Sequence, residues 1–187
     1  MNGEQSSAAF RPLADGEWPP ALDDLRRGFA GSLNVYRVMA HHPALLRAWQ
    51  PLRDHVTQAG SLPPRLRELV ILRVGFRLGA EYEQAHHVVR GSEAGLSPEE
   101  IRRAHAVEVT AFSGVERVAV AMVDALVSQH AIPAELLDQP LQELCKQQVL
   151  DLIVTVGMYV TLALIVRSFA VPIEPEIAAR ARRLLRT

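Results

Sequence analysis

The chain has 187 residues, of which 49% are hydrophobic and 5% aromatic, and its formal net charge is −1. This size suits one domain with a substantial buried core, and the near-neutral charge gives no general attraction to nucleic acid or to acidic membranes. A single cysteine, Cys145, excludes an intrachain disulfide and is typical of a cytoplasmic protein. The chain also begins without the basic-then-apolar order of a signal peptide.

The N-terminal part predicts an extension followed by short helices. Residues 1–20 are polar and interrupted by prolines, so we expect a mobile arm or a segment that packs at the edge of a single helical domain covering residues 21–187. A helix should follow with Ser32 or Asn34 as its N-cap. The next helix contains Pro51, which should kink or split it.

The centre of the chain predicts two helices joined by a tight turn. The first is apolar almost all round, which is typical of a helix inside a core, and it should end at Gly79. The second should begin at Ala80 or Glu81 and run to Gly95. Ser97 then stands where an N-cap is expected, before a proline and a glutamate that complete a capping box.

The C-terminal part contains an apolar run over residues 149–166, followed by a polar helix. The run is slightly shorter than a usual membrane span and carries Asp151 and Tyr159, so we interpret it as a core helix rather than a span. A helix this apolar must be enclosed on nearly all sides, and contact with a second subunit would enclose it. We therefore predict a homodimer or homotrimer of an all-α protein with about eight to ten helices.

The stretch GAEYEQAHH, residues 79–87, crowds polar groups that could carry chemistry. Glu83 and His87 are four residues apart on a predicted helix, so they share one face, and a carboxylate there would support a charged imidazole. His86 should point elsewhere, and Tyr82 could supply a hydroxyl. Glu68 lies on the preceding apolar helix, where a charge needs a partner; it could reach His87 if the two helices form a hairpin.

Each of these residues also has a plain structural explanation. A Glu–His pair at this spacing is commonly a solvated helix pair, and Glu68 could pair with a neighbouring arginine. A metal site is not predicted, because adjacent histidines diverge on a helix and no HExxH spacing occurs. The sequence has neither a GxGxxG nor a Walker A pattern, so no nucleotide or other cofactor is expected.

Residues 62–104, with the pattern RELVILRV, EYEQAHH and AGLSPEEI, resemble the carboxymuconolactone decarboxylase / alkyl hydroperoxidase D (AhpD-like) superfamily. The resemblance implies an oligomeric, all-α AhpD-like bundle. Its peroxidase branch carries a CxxC pair, and the matching positions here are Ala80 and Glu83. The dithiol is therefore absent, and peroxidase chemistry through it is not expected.

The decarboxylase branch is similar in lacking the CxxC pair and in having a histidine at the position of His87. The resemblance implies catalytic roles for His87, Glu83 and Glu68, and substrate binding by Tyr82, His86, Arg73 and Arg77. The implied reaction is a cofactor-independent decarboxylation or isomerisation of a small anionic or lactone-like metabolite. Such chemistry needs an acid that delivers a proton to carbon and a group that holds a carboxylate.

Two other functions remain open at this level. A chain that kept the fold without the thiols would be a non-catalytic oligomeric binding or scaffold protein. A thiol peroxidase using Cys145 is the third possibility, although no second cysteine is present to resolve the oxidised thiol.

Overall fold

The computed structural model describes residues 9–106, 108, 111–138 and 144–186. Within these residues the chain is helical, without β-strands, as predicted. The α-helices are α1 Asp23–Arg27, α2 Asn34–Met39, α3 Pro43–Asp54, α4 Pro64–Arg77, α5 Glu81–Glu93, α6 Pro98–Arg103, α7 Gly114–Gln129, α8 Ala134–Asp138, α9 Lys146–Ser168 and α10 Pro175–Arg186. Short 3₁₀ turns occupy Asp15–Glu17, Pro20–Leu22 and Phe29–Ser32.

Helix α4 is the centre of the core. It packs against α5, α7 and α9, and almost every residue from Leu66 to Gly75 is buried. This explains why its sequence is apolar on all sides, since a helix surrounded by neighbours has no face that favours polar residues. Helix α10 covers α5 and α6 on the outside.

Two glycines fix the hairpin of α4 and α5. Gly79 has φ of +59°, a left-handed conformation that glycine adopts without a steric cost, and it reverses the chain as predicted. Gly75 allows the two helices to approach closely, because a Cβ at that position would lie 3.2 Å from Cγ of Gln84. The hairpin therefore brings the inward faces of α4 and α5 into direct contact.

The structure corrects two local predictions. The N-cap of α2 is Leu33, without a side-chain capping bond; neither Ser32 nor Asn34 caps it. The N–H of Asn34 instead donates to Oε1 of Glu174 at 2.6 Å. Helix α3 continues through Pro51 to Asp54 and then changes to a π-helical segment, His55–Ala59, so the irregularity follows the proline instead of splitting the helix at it.

The described part of the N-terminal segment packs on the domain. Leu13 and Trp18 are buried, and the guanidinium of Arg37 donates to the carbonyl of Leu13 at 2.7 Å. These contacts favour the edge-packing extension over the mobile arm for residues 9–20. Residues 1–8 lie outside the described part of the chain, so the boundary drawn at residue 20 stays a prediction.

Helix α9 is the single helix, among those described, that is long and apolar enough to cross a membrane. Such a helix is weak grounds for a span, because the core helix of a soluble protein passes the same test. Only 44% of its most apolar stretch is buried, and Leu150 and Leu164 are 63% and 60% exposed. The single chain therefore leaves part of α9 uncovered, and its enclosure by a second subunit stays a prediction.

Candidate functional site

His87 lies at the centre of a buried group of polar side chains between α4 and α5. Its Nδ1 is 2.6 Å from Oε2 of Glu68, and its Nε2 is 3.7 Å from Oε2 of Glu83. The ring of Tyr159 on α9 meets the imidazole edge-on, with ring centroids 4.9 Å apart. His87 is 1% exposed and both glutamates are 4% exposed, so these groups interact away from bulk water.

The protonation of His87 follows from its burial. Burial lowers the pKa of His87 to about 4, although the Glu68 carboxylate acts in the opposite direction. At neutral pH the imidazole is therefore neutral. Burial would raise the pKa of Glu68, but the interaction with His87 and the nearby charges of Arg67 and Arg90 hold it below its usual value. We assign the ring proton to Nδ1, which donates to the Glu68 carboxylate.

This assignment leaves Nε2 of His87 as a free base that faces Glu83. Burial, reinforced by the charge of Glu174 and opposed by Arg90, raises the pKa of Glu83 from 4.5 to about 8. Glu83 is therefore mainly a neutral carboxylic acid at pH 7. Its Oε1 is buried and lacks a hydrogen-bond partner within the described structure, which is costly for an ordinary structural residue.

A cavity of about 20 Å³ lies beside these groups. Its wall includes Glu83, His87, Tyr36, Tyr159 and Arg90. That volume accommodates roughly one water molecule, so a larger ligand must displace part of the wall. The cavity thus places a small reacting atom within reach of a neutral acid and a neutral base.

Sequence reasoning missed Arg90, although helical spacing contained the signal. Arg90 follows Glu83 by seven residues and His87 by three, so it lies on the same face of α5. It is half-buried, and its guanidinium has neither a hydrogen bond nor an ion pair with any residue of the described chain. Arg90 is thus a cation beside the site whose hydrogen-bonding capacity is unused.

Tyr82 and His86 line the same cavity but bond to Glu174, which sequence reasoning also missed. The hydroxyl of Tyr82 donates to Oε1 of Glu174 at 2.8 Å and accepts from the N–H of Val35 at 3.3 Å. Nε2 of His86 is 2.6 Å from Oε2 of Glu174. Burial would raise the pKa of Glu174, but the bonds from His86 and from the N–H of Asn34 lower it. These groups already have partners, and substrate binding by Tyr82 and His86 stays a prediction.

Arg73 and Arg77 do not join this group. Arg73 is fully buried, and its guanidinium donates to both carboxylate oxygens of Asp124 at 2.8 and 2.6 Å. It also donates to the backbone carbonyls of Ala104 and Ala106. Nε of Arg77 lies 3.6 Å from Asp124. The predicted use of Arg73 in substrate binding is therefore not retained, because Asp124 and two backbone carbonyls already occupy its guanidinium. The contact of Arg77 is too long for a hydrogen bond, so its use in substrate binding stays a prediction.

The comparisons with known proteins agree with this architecture. Residues 43–125 match the model of the Carboxymuconolactone decarboxylase family. This stretch of the chain belongs to that family. No curated protein matches the chain in sequence.

Several solved structures share the AhpD-like fold. A complex of the debrominase Bmp8, in which a cysteine is replaced by alanine, with 2,3,4-tribromopyrrole has a TM-score of 0.77 at 18% identity, covering 94% of this chain and 96% of that chain. An AhpD core protein described as peroxidase-related, from Ralstonia eutropha JMP134, has a TM-score of 0.77 at 13% identity, covering 92% and 97%. A peroxidase-related protein from Silicibacter sp. TM1040 has a TM-score of 0.76 at 14% identity, covering 92% and 96%. At these identities the likeness supports the fold alone.

Ala80 and Glu83 stand at the positions where the resemblance to the peroxidase branch implies cysteines. The chain's one cysteine, Cys145, is exposed at the N-terminus of α9. Tyr159, which contacts His87, lies 14 residues further along the same helix, or roughly 21 Å at the rise of an α-helix.

In the described part of the chain, no group of three or more His, Cys, Asp and Glu side chains is arranged to hold a metal ion.

Proposed function

We propose that the chain is a cofactor-independent acid–base enzyme, a decarboxylase or other lyase, or an isomerase, acting on a small anionic or lactone-like metabolite. The observation that carries the proposal is that a neutral carboxylic acid, Glu83, and a neutral imidazole nitrogen, Nε2 of His87, lie 3.7 Å apart in the wall of one small cavity. An acid and a base with pKa values moved apart by their environment are the usual requirement for concerted proton transfer.

In an isomerisation, Nε2 of His87 would remove a proton from carbon, and the Glu68 carboxylate would stabilise the resulting imidazolium through Nδ1–H. Glu83 would deliver its proton to the other end of the delocalised anion. The proton on Nε2 can then return to the Glu83 carboxylate, across a gap of 3.7 Å in the resting geometry, with one water molecule as the bridge. Both groups regain their starting state without a cofactor.

In a decarboxylation, the bond to the leaving carboxylate breaks, and the unsaturated ring accepts the electron pair. Glu83 would then supply the proton that the carbon needs as carbon dioxide departs, and solvent would restore that proton afterwards. Burial favours this step, because the negative charge of the departing carboxylate is less stable in a dry cavity than in water, whereas the carbon dioxide that it becomes is neutral. His87 and Glu68 would hold the acid in place.

The main alternative is a non-catalytic oligomeric binding or scaffold protein. One observation favours it: α9 exposes Leu150, Ile153, Val154 and Leu164 on one face. We propose that this face mediates a homodimer or homotrimer, whether or not the site is active, because contiguous exposed apolar surface usually marks an interface. The lone cysteine further supports a location in the cytoplasm.

A thiol peroxidase is less well supported because Cys145 is distant from His87. The debrominase Bmp8 binds a small halogenated ring, and that relative shows the size of ligand worth testing here. Its complex was obtained with a variant lacking a cysteine, and the present chain has no cysteine near His87, so thiol-dependent debromination is not part of the proposal.

The test is proton NMR in D₂O with a panel of unsaturated lactone acids and keto acids that includes 4-carboxymuconolactone. Deuterium entering carbon, or loss of the carboxylate, should occur with the wild type and disappear with His87→Ala and Glu83→Gln. Glu81→Gln is the matched control, because Glu81 is exposed in the same helical turn and should leave turnover intact. Equal exchange in all four proteins would contradict the assignment of the acid and the base.

A further inference from the structure

An open groove of about 450 Å³ lies next to the small cavity. It is lined by three arginines and two glutamates, among other residues: Arg53, Arg67, Arg90, Glu68 and Glu93. Its volume falls within the usual range for small-molecule sites, whereas the inner cavity holds only about one water molecule. The groove is thus large enough for a substrate that the cavity cannot contain.

One arginine of the groove, Arg90, feels the charge of Glu68 but makes no ion pair at contact distance within the described chain. Arg53 pairs with Asp54 at 2.7 Å, and Arg67 contacts Glu68 at 3.3 Å. Glu93 pairs outside the groove with Arg180 at 2.7 Å. Arg90 has no such partner in the described chain, and a half-buried guanidinium without one is a ready site for a carboxylate, which it can hold with two parallel hydrogen bonds.

Arg90 also forms part of the wall between the groove and the inner cavity, because it lines both. No hydrogen bond holds its side chain, so moving it breaks none. Tyr82, which also lines the inner cavity, is different, because Glu174 and the N–H of Val35 hold its hydroxyl. Of these two side chains, Arg90 is therefore the one that can move aside to join the groove to the cavity.

We propose that this groove binds a small organic carboxylate, with Arg90 holding the carboxylate and the remainder of the molecule reaching into the cavity that His87 and Glu83 line. The inference rests on the proposed function and adds its entry route and its anion site. Arg53 and Arg67 contribute positive potential, but their existing partners make them secondary. Arg90 is therefore the residue that selects an anionic over a neutral substrate.

The test uses furan-2-carboxylate and its neutral analogue furan-2-carboxamide as probes, measured by calorimetry and by NMR of the histidine rings. The carboxylate should bind the wild type and shift the ring signals of His87, whereas the amide should bind at least about tenfold more weakly. Arg90→Gln should weaken binding of the carboxylate by a similar factor. Arg90→Lys should recover only part of it, because an ammonium lacks the planar fork.

The matched control is Arg103→Gln, which should bind like the wild type, because Arg103 lies on α6 outside the groove, with its side chain 41% exposed and paired with Glu99. Circular dichroism checks that each variant is folded. Any of three results would overturn the proposal. They are no detectable binding of the carboxylate at millimolar concentration, equal affinity for the carboxylate and the amide, and unchanged affinity for the carboxylate in folded Arg90→Gln.

The binding test, combined with the D₂O exchange experiment and turnover kinetics on the same variants, separates the two proposals. Binding that depends on Arg90, without any proton exchange in D₂O, would leave the anion site in place and refute catalysis. Turnover of an anionic substrate by Arg90→Gln with an unchanged KM would leave catalysis in place and refute the anion site.

Discussion

Replacing Glu83 by glutamine should make the protein more stable and less active at the same time. Glutamine has nearly the shape of a protonated glutamate, but it cannot ionise. The native carboxyl is 4% exposed and its pKa is raised to about 8 by burial, so the native state keeps a proton that the unfolded chain releases near pH 4.5. Glu83→Gln removes this difference between the two states.

The magnitude follows from linkage between protonation and folding. A folded-state pKa raised above the unfolded value means that the native carboxyl still binds its proton while the unfolded one does not, so stability falls as pH rises from 4.5 to about 8. Each pH unit in this window costs about 1.4 kcal/mol. At pH 7 the wild type has lost about 3 kcal/mol, which Glu83→Gln should recover. Below pH 4.5 the two proteins should be equally stable.

Urea unfolding at pH 4.5 and pH 7, at one fixed protein concentration, measures this difference. The matched variant is Glu174→Gln, because Glu174 is a buried carboxylate whose pKa is lowered and whose oxygens receive bonds from Asn34, Tyr82 and His86. It should destabilise the protein by about 1–3 kcal/mol at pH 7. If Glu83→Gln destabilises the protein as Glu174→Gln does, Glu83 is ionised in the native state and the proposed acid is wrong.

Three further predictions test other parts of the molecule. Arg73→Met should lower the free energy of unfolding by about 2–4 kcal/mol in urea denaturation, because it leaves the half-buried Asp124 without its main partner and the carbonyls of Ala104 and Ala106 without their donor; a change under about 1 kcal/mol would contradict this. Leu164→Glu should convert the predicted dimer or trimer to monomers in light scattering, whereas a monomeric wild type at micromolar concentration would refute that interface. Cys145→Ser should leave turnover of any substrate unchanged, and loss of peroxide turnover in this variant would support the thiol alternative.

Much of the fold could be predicted because the signals were local. Gly79 and the capping box at Ser97 mark helix boundaries through backbone conformation and hydrogen bonds within a few residues, and both act as expected. The cap of α2 could not be predicted in this way. Its partner, Glu174, is 140 residues away in sequence from Asn34, and local propensity carries no information about such a contact.

The same distinction applies to the site. The spacing of Glu83 and His87 on α5 predicted that they share a face of the helix. The hairpin turn also allowed Glu68 to contact His87. The distance of 2.6 Å between Oε2 of Glu68 and Nδ1 of His87 could be obtained only from the structure. Arg73 was misjudged because an arginine on an apolar helix looks identical in sequence whether it faces a substrate or, as here, the carboxylate of Asp124. Helical periodicity also places Arg90 on the face of α5 that carries Glu83 and His87, but Arg90 was not among the predicted site residues.

The residue that faces Nε2 of His87 distinguishes the two kinds of chemistry that the resemblance offers. The pair of Glu68 and His87 can serve either, because an oriented imidazole activates a thiol as readily as it moves a proton. Where the resemblance implies a cysteine, this chain has Glu83, which transfers protons but cannot be oxidised and reduced. The unpartnered oxygen of Glu83 and its raised pKa destabilise the folded protein. Glu174 has no such cost, because its carboxylate is hydrogen-bonded and its pKa is lowered. A buried acid that weakens the fold is better explained by a reaction that needs it than by packing.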